Sequence, residues 1–80
     1  MKIIMPGFSQ ATYIYKLTET KTGALRMRRV AKLYGLTLRE LSDHISYHED
    51  VLIDSALPET ADGLKNLGFN VITGRIPRVK

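Results

Sequence analysis

His44 and His48 lie four residues apart and are followed by Glu49 and Asp50. On a helix both imidazoles would face one side, and two histidines with a carboxylate can hold zinc. The residue order is not that of a metalloprotease helix. A histidine pair at a helix end, near the C-terminal dipole and neighbouring acids, explains the spacing without a metal. Asp50, Asp54, Glu59 and Asp62 form a second set, suited in type to magnesium. A working site of that kind draws carboxylates from the ends of several strands, whereas most of these acids stand where helix N-termini favour negative charge. Ser42, Ser46 and Ser55 lack the glycines of a nucleophile elbow, and Gly7, Gly23, Gly35 and Gly74 are not spaced as a phosphate loop. There is no cysteine, hence no thiolate chemistry and no disulfide. The expectation is a non-enzyme with no metal and no cofactor.

The remaining chemistry is cationic. The formal charge is +4, unevenly distributed. Lys21, Arg26, Arg28, Arg29, Lys32 and Arg39 face one acid, Glu40, over residues 21–40. Residues 41–62 carry Asp43, Glu49, Asp50, Asp54, Glu59 and Asp62 with no lysine or arginine, and residues 63–80 carry Lys65, Arg75, Arg78 and Lys80 with no acid. A basic segment and a basic tail suit phosphates. The competing reading is a solvated surface on which the blocks pair with each other. No aromatic is clearly interleaved with these cations; Tyr34 belongs by its spacing in a core.

The elements that must position these residues follow from periodicity. TYIYKLT, residues 12–18, is rich in β-formers with Tyr13, Tyr15 and Leu17 on one side, which predicts a strand. KIIM before Pro6 is a second strand or a loose arm. Met27, Val30, Ala31 and Tyr34 fall on one helical stripe and predict a helix over 24–34, with Gly35 as its left-handed terminator. TETKTGALRM as a hairpin is the alternative, and Arg28-Arg29 breaks its alternation. Thr37-Leu38-Arg39-Glu40 has the form of a capping box opening a helix over 37–46 with Leu38, Leu41 and Ile45 inside. DVLID predicts a buried strand, Pro58 the first turn of a third helix that ends at Gly68, and FNVIT the last strand. The expected fold is an α+β domain of order β-α-α-β-α-β, a small sheet with helices packed on one face. Residues 1–11 form an arm or short strand, 12–74 a single domain and 75–80 a basic tail. No apolar run reaches the roughly 18 residues of a membrane span, and the start MKIIMPGF is too short for a signal peptide; with no cysteine, a cytoplasmic protein is expected.

Val30, Ala31, Gly35, Leu36 and Leu41 have the spacing of bacterial helix-turn-helix regulators, which that segment resembles. Over about residues 12–73 the chain also resembles the C-terminal domain of the bacterial ribosomal stalk protein, a fold shared with the Clp protease adaptor. RRVAKLYGLTLRELSDHI stands as the αα-hairpin, strand 12–18 before it and ADGLKNLGFNV after it. The stalk resemblance implies a basic and apolar hairpin surface for a protein partner, to which Met27, Arg28, Leu38 and Arg39 would belong. Thr37, Ala31 and Ser42 depart from it, standing for a turn glycine, an arginine and a lysine. DVLIDSALPETADGLKNLGFNV loosely resembles one βαβ unit of PIN-like nucleases.

The expected function is a small, basic regulatory binding module that contacts nucleic acid, DNA or RNA, through the αα-hairpin. Arg26, Arg28, Arg29, Lys32 and Arg39 would carry the contact, with Ser42 on a phosphate and Arg75, Arg78 and Lys80 assisting. The cations sit mostly before Gly35, a layout suited to phosphates more than to base readout. The alternative is a protein–protein adaptor or inhibitor with an acidic partner.

Overall fold

The structure, a computed structural model, describes residues 1–7, 10–34 and 37–75. Five segments form strands: β1 (Lys2–Pro6), β2 (Thr12–Glu19), β3 (Leu25–Leu33), β4 (Asp50–Asp54) and β5 (Asn70–Gly74). They make one mixed sheet in the order β3-β2-β1-β4-β5. Two short helices, α1 (Leu38–Ser42) and α2 (Pro58–Asn66), precede β4 and β5. The expected β-α-α-β-α-β order is therefore corrected to β-β-β-α-β-α-β, a strand-dominated sheet in place of a helix-rich one.

β1 is the central strand. It pairs antiparallel with β2 from Lys2↔Lys16 to Pro6↔Thr12 and parallel with β4 over Lys2–Ile4. Pro6 has no N–H to give, and it lies beyond the stretch that meets β4, where the missing donor costs the ladder nothing.

The largest correction concerns residues 24–34, expected to be helical and in fact forming β3. A turn over Thr20–Ala24 closes the β2–β3 hairpin. Thr20 N–H donates to Ala24 O, the Ala24 N–H donates to Thr20 Oγ1, and Gly23 takes a positive φ of 84°. The alternation that Arg28-Arg29 breaks is repaired by a bulge: Ile14 faces Ala31 while the next residue, Tyr15, faces Arg29, leaving Val30 extra. An extra residue reverses the side-chain phase of a strand. Ala31 and Leu33 thus turn toward the core, whereas Leu25, Met27 and Arg29 lie on the opposite face. No αα-hairpin forms, and Gly35 and Leu36 lie outside the described residues.

The core lies on one side of the sheet. Ile4, Ile14, Val51 and Ile53 are buried against Leu41 of α1 and Ala61 and Leu64 of α2. Thr37 caps α1 as expected, accepting the Glu40 N–H at 3.2 Å, but the helix stops at Ser42. α2 begins at Pro58 and ends in a Schellman arrangement: Phe69 N–H donates to Leu64 O, Gly68 N–H donates to Lys65 O, and Gly68 has φ 96°. A side chain at that φ meets its own backbone, so Gly68→Ala should destabilise the fold by about 1 kcal/mol. A lowered urea midpoint with an unchanged slope would register it; an unchanged midpoint would contradict this cap.

Both helices pack on the Ile4–Ile14 side. The opposite face of the sheet carries Ile3, Met5, Tyr13, Tyr15, Leu17, Leu52 and Ile72 by register and has no helix over it among the described residues. Among the described residues no helix is long and apolar enough to cross a membrane.

Candidate functional site

β2 and β3 run on together after β1 has ended. The N-terminal segment follows β2 as far as Leu17, whose N–H donates to Met1 O at 2.9 Å. The pairs Thr18↔Arg26 and Glu19↔Leu25 and the turn beyond them therefore form a two-stranded ribbon past the sheet, its paired part about 7 Å long at ~3.4 Å per residue. The hairpin holds Lys16, Lys21, Arg26, Arg28, Arg29 and Lys32 against a single acid, Glu19.

The bulge divides these cations between the two faces. On the helix side, beyond the reach of α1 and α2, Lys16, Thr18, Arg26 and Arg28 line a cleft of about 200 Å³. Lys16 lies directly across from Arg28, a like-charge pair that opposes strand pairing unless an anion or solvent screens it. Arg29 and Lys32 project from the open face. The Arg29 guanidinium lies 5.1 Å from the centre of the Tyr13 ring, and the Lys32 ammonium 5.8 Å from Tyr13 and 5.3 Å from Tyr34. Tyr15 meets Tyr13 edge-on at 6.2 Å. These contacts make a continuous aromatic–cation row: Tyr34, Lys32, Tyr13, Arg29. Interaction with the Tyr34 side chain, then with Tyr13, raises the Lys32 pKa above the ordinary lysine value, so Lys32 is a cation throughout the neutral range. Gly7 leaves room for Tyr13: a Cβ there would stand 2.5 Å from the tyrosine ring. Tyr34, assigned by its spacing to the core, is instead 58% exposed.

Ion pairing does not consume the hairpin's charge. Both ion pairs among the described residues are made by Glu49, with Lys2 at 3.0 Å and the amino terminus at 3.9 Å. The acids Asp50 and Asp54 stand on β4, and Glu59 and Asp62 on α2. β1 separates all of these from the hairpin. Of the pairing between basic and acidic blocks that the competing reading implies, the described residues show only Lys2 with Glu49; none joins residues 21–40 to the acids of residues 41–62.

The other sequence-derived candidates do not join this site. Arg26, Arg28, Arg29 and Lys32 are brought together on β3, but Arg39 and Ser42 lie on α1, where the Ser42 hydroxyl donates to Arg39 O at 2.8 Å. Arg75 follows β5 at the far edge, and Arg78 and Lys80 lie outside the described residues. Met27 sits on the open sheet face, while Leu38 lies in the helix layer close to Gly63, so the surface implied for a protein partner is not assembled. His44 and His48 fall in the loop after α1, not on one helical face. That loop is held by Tyr47, stacked on Phe69 at 4.2 Å, and by Glu49, which accepts the Ser46 N–H. Asp54 is buried and accepts the Ala56 N–H at 2.8 Å, a turn role. No group of residues able to hold a metal is found among the described residues.

Lys16, Tyr13 and Tyr15 were not recognised from sequence as site residues. Their signal was the alternation in TYIYK, which places both tyrosines on one strand face, but only pairing with β3 brings them to the arginines. No family model, no curated protein and no solved structure matches the chain.

Proposed function

We propose that the protein is a small non-catalytic nucleic-acid-binding module that grips phosphates with the β2–β3 hairpin. One observation carries this reading: Lys16, Arg26, Arg28, Arg29 and Lys32 occupy both faces of one two-stranded element, and no carboxylate lies within ion-pair distance of them among the described residues. A phosphate backbone is the polyanion for which such an array releases counterions and gains affinity. The binding element is a β-ribbon, not an αα-hairpin. The absence of cysteine suits a reducing compartment such as the cytoplasm.

Four to six phosphate contacts would give a slope of log affinity against log salt of about −3 to −5. Titration of fluorescent DNA and RNA between about 50 and 200 mM salt should therefore show affinity falling by a factor of about 60 to 1,000. Binding weaker than the nonspecific micromolar range at the lower salt, or affinity indifferent to salt, would remove the basis for the reading.

A further inference from the structure

The geometry points to single-stranded nucleic acid as the ligand, its unpaired bases stacked on the aromatic–cation row of the open sheet face. This inference rests on the nucleic-acid reading above and specifies which form of nucleic acid that site takes.

A structural role accounts for tyrosines in a pleat, but three features here go further. The row lies on the face that no helix among the described residues covers, and Tyr34, at its end, is 58% exposed. Its cations lie over the rings, Arg29 at 5.1 Å from the centre of Tyr13 and Lys32 at 5.3 Å from that of Tyr34, so a base either stacks on the guanidinium layer or takes the place of a cation on its ring. Bases of a single strand stack on such surfaces, and arginine and lysine beside them meet the linking phosphates. Gly7 also lets the Tyr13 ring settle against the backbone, since any Cβ there would occupy its place. The acids of β4 and α2 lie across β1 from the row, so the face has the charge complementary to a polyanion.

Duplex nucleic acid cannot use this arrangement. Its bases are already stacked on each other, so a duplex offers the rings no free base face, whatever groove or backbone contact the ribbon makes. For a duplex the tyrosines would be superfluous and the cations sufficient. For single strands both are needed, and the two possible sources, DNA and RNA, share the same exposed base faces.

The test is a set of anisotropy titrations with the full chain at about 100 mM salt. The probes are a single-stranded DNA of about 12 nucleotides, RNA of the same sequence, the corresponding duplex, and an abasic strand of equal length. The expected result is that base-bearing single strands bind at least about tenfold more tightly than the abasic strand and the duplex. Tyr34→Leu, at an exposed position, and Tyr13→Leu should each cut that ratio severalfold; the ratio is the readout because loss of either ring also releases a cation, Lys32 or Arg29, that meets the phosphates of every probe. The DNA and RNA arms identify the preferred sugar. Equal affinity for base-bearing and abasic strands, tighter duplex binding, or a ratio untouched by both tyrosine variants would overturn base stacking while leaving the phosphate-binding hairpin intact. Failure to bind any probe would overturn the two together.

Discussion

Reversing two charges, with Arg26→Glu and Arg28→Glu together, should weaken nucleic-acid binding on the order of a hundredfold at about 0.1 M salt. The two side chains project from the same face of β3 and line one cleft with Lys16 and Thr18. The double variant alters the local charge by four units. At about 1 kcal/mol per unit pair at contact in water this approaches 4 kcal/mol before screening, which salt reduces. The slope of affinity against salt should also become shallower by roughly one to two contacts. The same substitutions should leave folding nearly unaffected or slightly improved, because Arg28 opposes Lys16 across the ladder and a glutamate there would pair with it. A variant that keeps wild-type affinity with an unaltered melting temperature would show that the hairpin does not hold phosphates. Arg39→Glu on α1 is the control: its position away from the ribbon predicts a change no larger than the loss of long-range attraction.

The largest effect on stability is expected at Leu41. α1 has only five residues, too few to hold a helical conformation unaided, and Leu41 is its one buried side chain. That side chain is fully enclosed among Ile4, Ile14, Val51, Ile53, Ala61 and Leu64. Leu41→Ala removes buried methyl groups and leaves a cavity where sheet and helices meet, costing about 3 kcal/mol. In a domain of this size each kcal/mol moves the melting temperature by about 4–8 °C, so a drop of more than about 10 °C is expected in calorimetry. Leu38→Ala, three residues earlier and 39% exposed, should cost well under half as much. Equal effects from the two variants would mean that α1 does not dock through Leu41. Below the melting temperature Leu41→Ala should still bind nucleic acid, since the hairpin makes its pairing contacts without α1; stability and binding thus report on different elements.

Where chemistry was legible in sequence, local grammar was enough. Pro58 at a first helical turn, Gly68 after the last, Thr37 before α1 and the apolar run DVLID each act within a few residues, and each stands where its local physics requires. The concentration of cations at residues 26–32 was equally plain. What could not be read was their presentation. LRMRRVAKL is composed largely of good helix formers, and Met27, Val30, Ala31 and Tyr34 fall on a helical stripe, so the local preference is for a helix. It is overridden because TYIYKLTE offers a full antiparallel ladder across a short turn, and because the bulge at Val30 delivers Ala31 and Leu33 to the core without burying Arg28 or Arg29.

By itself the sequence determined the basic segment of residues 21–40 and the basic tail, three of the five strands, the ends of α2 and the lack of a thiol. Tertiary structure alone decided that Leu25–Leu33 of that segment is an edge strand, that Lys2–Pro6 lies at the centre of the sheet, and that Tyr13 and Tyr34 alternate with Lys32 and Arg29. The reason is physical. Caps and turns are settled by neighbours in the chain, whereas strand pairing joins residues far apart, such as Ile3 with Leu52, and leaves no local mark. Since a strand turns alternate residues to opposite faces and one bulge reverses that phase, the composition of any face depends on a register that only the assembled sheet defines.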